Sequence, residues 1–317
     1  MKIINAYFKG LKRTLSSYKM ITLLYFITLL LAMMIAFPFR SMLKNVVKHS
    51  LLPEKLLYDF NFTIYEDIMR NYGDSIMPFI QIMFWVGIVY LFFTIFFSGG
   101  VLNIFHYEKN RFSMQAFFEG AGKYFLRFFR LMIFTFLLNI VVLIIVYFPL
   151  SIVLDHYIEI TTSEKTIFFI ALFGVAIHIL LLILTLIISD YAKIKIVIED
   201  TNKVFKTFWK AIKFTLKHLF STYILYGLLL LFSILLFAVY YFIEKPFVMD
   251  SAKTILTMFF IQQIFIWLRI FSKVWFLRSE LYYYKNFVNE KDPLDKKHLD
   301  LKDLINPDEI LDNDLIA

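Results

Sequence analysis

The sequence contains no cysteine, and this absence excludes several kinds of chemistry at once. Without thiols the chain forms no disulfides, holds no thiolate-bound metal and has no cysteine nucleophile. Charged residues make up only 18% of the 317 residues, and glycine and proline occur nine and seven times. Soluble domains carry about 25% charged residues. The composition therefore disfavours a water-soluble fold.

Sequence motifs of common catalytic sites are also missing. The six histidines, at positions 49, 106, 156, 178, 218 and 298, include no H-x-x-x-H or H-E-x-x-H pair, the spacing that places two zinc ligands on one helix face. The sequence has no G-x-S-x-G elbow, and Ser98, Gly99 and Gly100 are not followed by the lysine of a phosphate-binding loop. We therefore predict that the protein is not an enzyme and has no catalytic residue, metal site or cofactor.

Long hydrophobic runs dominate what is present. Hydrophobic residues make up 60% of the chain, and the mean hydropathy is +0.70. A helix needs about 20 residues to cross the hydrocarbon core of a bilayer. Six segments meet this length: 20–39, 77–97, 131–154, 166–188, 222–243 and 255–277. These spans predict an all-α polytopic membrane protein with a single domain over residues 1–285.

Lysine and arginine beside the spans predict the orientation. Five basic residues precede span one, five follow span two and seven follow span four, whereas one follows span three and two follow span five. Basic loops stay in the cytoplasm, so we predict a protein of the bacterial cytoplasmic (inner) membrane with both termini cytoplasmic. Residues 40–76 then form an extracytoplasmic loop, and the acidic residues 286–317 form a cytoplasmic tail.

The segment after span four has two unlike faces. Its basic residues recur at intervals of three and four and so share one helical face: Lys203, Lys206, Lys210, Lys213 and Lys217. The other face is apolar: Phe205, Phe208, Trp209, Ile212, Leu216 and Leu219. This pattern predicts a helix that lies in the membrane interface and binds anionic headgroups. A helix packed in a cytosolic bundle is the alternative interpretation.

Similar two-faced segments precede spans one and three. Before span one, Tyr7, Phe8, Leu11, Leu15 and Tyr18 oppose Lys9, Lys12, Arg13 and Lys19. Before span three, Phe117, Phe118, Ala121, Phe125 and Phe128 oppose Glu119, Lys123, Arg127 and Arg130. A shift of 91 residues also aligns spans two and four, placing Thr94 on Thr185. We infer three parallel repeats, each a surface helix followed by two spans.

A few polar residues interrupt the spans, where their burial is costly and often functional. The candidates are Asn139, His178, Gln262 and Gln263, together with Gln81 and Arg269; Lys273 also interrupts span six. They lie at different depths, so we expect hydrogen bonds between helices rather than one site. His178, in the middle of span four, is the first to test.

Two runs carry a family resemblance: GGVLNIFHYEKNRFSMQAFFEGAGKYF and SDYAKIKIVIEDTNKVFKTFWKAIKF. They resemble sequences of a broad group of poorly characterised bacterial six-span proteins, which includes the membrane domain fused to some glycerophosphodiester phosphodiesterases. The resemblance covers residues 1–285, and the segment after the last span is too short for a phosphodiesterase domain. It implies an integral membrane domain and carries over no catalytic residue.

These observations predict a non-enzymatic accessory or lipid-interacting membrane component, whose partner is a bilayer with anionic headgroups. No nucleic-acid partner is expected. The alternative is a permease or exporter for a lipid-like or hydrophobic substrate, which would require a continuous polar or amphipathic cavity between the repeats that includes His178 and Gln262. A membrane enzyme would require a cluster of titratable groups at one depth.

Overall fold

The computed structural model describes residues 2–47, 61–107, 112–161, 163–247 and 251–291. These residues form eight helices and no strand. The helices are α1 Lys2–Leu15, α2 Tyr18–Val47, α3 Phe62–His106, α4 Met114–Ile160, α5 Glu164–Ile198, α6 Val204–Lys217, α7 Leu219–Glu244 and α8 Ala252–Lys291.

Six of these helices are long and apolar enough to cross a membrane: α2, α3, α4, α5, α7 and α8. The predicted all-α fold with six spans is therefore confirmed. Within the most hydrophobic window of each helix only 6–22% of the residues are buried inside the protein. Hydrocarbon must cover the remaining apolar surface, because water would not stabilise it. The helices α1 and α6, with 14 residues each, are too short to cross.

The helices extend beyond the predicted spans. Residues 40–47 and 62–76, which were assigned to the outer loop, belong to α2 and α3. Asn61 starts α3 by accepting hydrogen bonds at Oδ1 from the backbone N–H groups of Thr63 and Ile64, at 3.0 and 3.3 Å. The remaining loop residues, 48–60, and most of the acidic tail, 292–317, lie outside the described residues.

The predicted surface helix before span three is instead the beginning of α4. This helix has 47 residues, which corresponds to roughly 70 Å and exceeds the hydrocarbon thickness twofold. Phe117, Ala121 and Phe128 were predicted to face lipid, but all three are buried. The reason is a close approach to α3, where a Cβ atom on Gly100 would lie 2.6 Å from the carbonyl oxygen of Phe117.

The first helix packs against the last. The indole N–H of Trp275 donates to the carbonyl oxygen of Tyr7 at 3.1 Å, and the guanidinium of Arg278 donates to the carbonyl oxygen of Arg13 at 2.8 Å. In three places an amphipathic segment packs against a membrane-spanning helix: α1 against α8, the beginning of α4 against α3, and α6 against α5. A threefold repeat predicts this arrangement, although the repeat itself stays a prediction.

We call the side of the bundle that carries α1, α6 and residues 114–130 the basic side. Most of the buried core lies there, around the fully buried Trp275, Tyr124 and Tyr191. Farther from the basic side the helices expose large apolar side chains, such as Phe173 at 68% and Phe242 at 71%. Protein packing is therefore concentrated at the basic side, and the rest of the bundle presents its side chains to lipid.

Candidate functional site

The lysine face of α6 is open to solvent. All five predicted lysines are exposed: Lys203, Lys206, Lys210, Lys213 and Lys217. Beside them, Phe205, Trp209 and Leu216 are 66%, 54% and 54% exposed. A third face, which the sequence did not separate from the apolar one, packs on the bundle: Val204, Thr207, Phe208, Ala211 and Thr215.

Phe208 corrects the predicted apolar face of α6. It is only 7% exposed, and its ring stacks on that of Phe134 in α4 with centroids 6.0 Å apart. It therefore faces protein rather than lipid. Leu219 lies beyond the helix, because α6 ends at Lys217 and α7 begins at Leu219.

Ion pairs fix the turn between α5 and α6. Asp200 adopts a positive φ of 42°, and its carboxylate contacts Lys123 Nζ at 2.8 Å and Arg127 Nη1 at 2.7 Å. Burial would raise the pKa of Asp200, but the hydrogen bonds from these two cations outweigh it and lower the pKa. Next to it, Glu199 contacts Lys210 at 2.9 Å. Asp200 is not among the residues predicted from the sequence, although Glu199 and Asp200 form an acidic pair directly after a hydrophobic helix.

A partly open cavity of about 660 Å³ lies between α2, α3, α5, α7 and α8. Most of its walls are apolar, including Leu24, Ile27, Phe93 and Phe237. Hydroxyl groups also reach it, and the Oγ atoms of Ser233 and Ser272 are 3.2 Å apart across α7 and α8. The cavity thus offers apolar and polar surface together.

Four charged side chains line this cavity. Lys193 and Asp190 form an ion pair at 2.8 Å, so their charges offset each other. Arg269 and Lys273 lie one turn apart on α8 and form no ion pair with any residue in the described ranges. The ammonium of Lys273 lies 5.9 Å from the ring centroid of Tyr90. The lining therefore carries an excess of positive charge.

A smaller cavity of about 270 Å³ adjoins the first and shares Thr94, Ser98 and Lys193 with it. Asn139, one of the predicted polar candidates, lines this second cavity. It also accepts a hydrogen bond at Oδ1 from Thr185 Oγ1 at 2.8 Å, which joins α4 to α5.

Of the other predicted polar residues, Arg269 lines the first cavity, whereas Gln263, His178 and Gln262 lie elsewhere. Gln263 accepts a hydrogen bond from the hydroxyl of Tyr25 at 2.8 Å, which joins α8 to α2. The His178 ring lies 5.4 Å from that of Tyr147, and neither His178 nor Gln262 lines either cavity. The sequence carried a signal for the cavity, because charges at 269 and 273 interrupt span six at helical spacing.

No protein-family model matches the chain, and neither a curated protein nor a solved structure is significantly similar to it. The resemblance to the membrane domain of certain phosphodiesterases therefore stays a prediction.

Proposed function

We propose that this integral membrane protein is a non-enzymatic, lipid-interacting component of a bacterial inner membrane, with both termini in the cytoplasm. The observation that carries the proposal is the exposed surface of α6, where five lysines lie next to Phe205 and Trp209. Basic residues at an anionic membrane surface contribute about 1 kcal/mol each, and aromatic side chains favour the interface.

The exposed aromatic residues favour this proposal over a helix in a cytosolic bundle. A bundle helix would bury its large apolar side chains against protein, whereas Phe205 and Trp209 remain more than half exposed. Phe208 with its small neighbours, and Phe214, whose ring lies 5.1 Å from the rings of Tyr191 and Tyr284, hold α6 on the bundle. The ring of Phe205 also contacts that of Phe134, with centroids 5.6 Å apart, but most of its surface stays open. Lipid is the environment in which the remaining apolar surface is stabilised.

The absence of cysteine permits a direct test, because a single introduced thiol can be spin-labelled without removing others. We expect nitroxides at Phe205→Cys and Trp209→Cys, in lipid discs with anionic lipid, to be accessible to oxygen and shielded from a water-soluble nickel reagent. Labels at Lys206→Cys and Lys213→Cys should show the opposite pattern, because the ammonium face meets water and headgroups.

Discs of purely zwitterionic lipid provide the control. In these discs the difference in oxygen and nickel accessibility between the two faces of α6 should become smaller. Equal nickel accessibility at all four positions would assign α6 to a cytosolic bundle and refute the proposal. The orientation is tested with the Lys213→Cys variant, which a membrane-impermeant thiol reagent should label only after the cells are opened.

Transport of a lipid-like substrate is the second candidate, and the cavity of about 660 Å³ favours it. The cavity is amphipathic, as that hypothesis requires, but its lining excludes His178 and Gln262. The cavity also brings several charged side chains together, as a membrane enzyme would require. However, no histidine lines it among the described residues, and Asp190 is ion-paired. We therefore propose that the cavity binds a ligand rather than catalyses a reaction.

A further inference from the structure

We infer that the cavity of about 660 Å³ is a binding site for a lipid with an anionic phosphate headgroup, held by Arg269 and Lys273. This inference deepens the proposed lipid-interacting function by naming a ligand class and a second site, a partly open cavity between the helices in which the side chains of Arg269 and Lys273 are exposed. It concerns residues that are distinct from the lysines of α6, so the two proposals fail independently.

The first argument is the unbalanced charge. Ionised side chains within membrane-spanning helices are costly unless they are paired or face a polar cavity. The carboxylate of Asp190 lies 2.8 Å from Lys193 and offsets that charge. Arg269 and Lys273, four residues apart on α8, form no ion pair among the described residues and line the same cavity. An anionic ligand would supply the missing negative charge.

The second argument is the geometry of the cations. A guanidinium donates two parallel hydrogen bonds to a phosphate, and an ammonium adds a compact point charge. Residues four apart on a helix share one face, so both groups project from α8 toward the same space. Hydroxyl groups at Ser233, Ser272 and Tyr90 also line this space. This set of donors suits phosphate oxygens.

The third argument is the apolar wall, which distinguishes a lipid from a small anion. Leu24, Ile27, Phe93 and Phe237 line the cavity together with the cations. Its volume falls within the range of about 300–1,000 Å³ that is typical of small-molecule sites. A free phosphate ion would leave this apolar surface uncovered, whereas an acyl chain would cover it and gain hydrophobic stabilisation. Because the cavity is partly open, the rest of the lipid's acyl chain can extend from it into the bilayer.

Native mass spectrometry of the detergent-purified protein tests the inference. The probes are dioleoyl phosphatidic acid, diolein with the same acyl chains but no phosphate, and inorganic phosphate. We expect wild-type protein to bind phosphatidic acid most tightly. The double substitution Arg269→Gln with Lys273→Gln should weaken that binding at least about tenfold, equivalent to ~1.4 kcal/mol. Lys253→Gln is the matched control, since Lys253 is an exposed cation of α8 that does not line the cavity.

A second variant keeps both cations and fills the space between the helices. Ser233→Phe places a ring in the cavity and should weaken phosphatidic acid binding without removing a charge. It also provides the test if the double variant does not fold. The variant Lys206→Gln with Lys213→Gln on α6 keeps both cavity cations and removes two lysines of the proposed surface site. It should still bind phosphatidic acid more tightly than diolein, whereas the double variant at 269 and 273 should lose that preference.

Several results would overturn the inference. Equal binding of phosphatidic acid by wild type and the double variant would exclude the two cations. If diolein bound as tightly as phosphatidic acid, the cavity would be an apolar site without headgroup recognition. If inorganic phosphate bound as tightly as phosphatidic acid, the cavity would be an anion site without lipid recognition. Loss of lipid only in the α6 variant would place the binding at the surface, leaving the proposed function intact and the cavity site refuted.

Discussion

Asp200 provides the sharpest test of how the turn between α5 and α6 is held. Its carboxylate contacts Arg127 at 2.7 Å and Lys123 at 2.8 Å. The substitution Asp200→Asn removes the charge but keeps a residue that tolerates the observed φ of 42°. A change in stability therefore reports on the ion pairs rather than on the backbone.

The magnitude follows from the exposure of the partners. The side chain of Arg127 is 15% exposed, whereas that of Lys123 is 41% exposed. A hydrogen bond to a charged group contributes about 1.5–3 kcal/mol, and an exposed ion pair contributes ~0.2–1 kcal/mol. We therefore assign most of the effect to Arg127 and expect Asp200→Asn to destabilise the protein by about 2 kcal/mol, which lowers the Tm by roughly 4 °C.

The assay is thermal unfolding in detergent at one fixed scan rate, followed by tryptophan fluorescence, since membrane proteins often unfold irreversibly. Glu199→Gln is the matched control, because its partner Lys210 is 45% exposed, and we expect a loss below about 1 kcal/mol. If Asp200→Asn unfolds at the wild-type temperature, or no lower than Glu199→Gln, the burial argument for the Arg127 contact is wrong.

The pH dependence of this contact has a definite sign. The pKa of Asp200 is lower in the folded protein than its ordinary value. Its stabilisation is therefore fully present above the unfolded-state value, about 3.9 for aspartate, and is lost as the pH falls through the folded value. The wild-type Tm should approach that of Asp200→Asn below roughly pH 4, whereas at neutral pH the difference should be complete.

Two further substitutions test packing inside the bundle. Gly120→Ala should lower the Tm, because a Cβ atom at position 120 collides with Asn103. Gly122→Ala should raise the Tm by a few degrees, because a Cβ atom there meets open space and alanine stabilises a helix by about 1 kcal/mol relative to glycine. Equal Tm shifts for the two variants in the same unfolding assay would exclude the close approach of α3 and α4. Asn139→Ala should lower the free energy of unfolding by about 0.6 kcal/mol, the average for a hydrogen bond between membrane helices. In a double-mutant cycle with Thr185→Val the two losses should not be additive. Full additivity would contradict the hydrogen bond of 2.8 Å between Thr185 and Asn139.

Hydropathy predicted the six spans, since each is a long apolar run, but not where the helices end. Residues 40–47 and 62–76 contain no proline and continue α2 and α3, and these two helices also accommodate Pro38 and Pro78. The candidate site was predicted only in part. The lysine face of α6 follows from spacing alone, whereas the cavity combines residues from five helices that are far apart in the sequence.

The sequence by itself determined the solvent of this protein and its secondary structure. Apolar segments of this length partition into hydrocarbon, and there the backbone satisfies its hydrogen bonds only as helices or closed barrels. Only the tertiary structure decided which apolar residues face protein and which face lipid. Phe208 and Trp209 are neighbouring aromatic residues of α6, yet Phe208 packs on Phe134 and is 7% exposed, whereas Trp209 is 54% exposed. Lipid chains are as apolar as leucine, so hydrophobicity does not separate a buried face from a lipid-facing one, and close packing does.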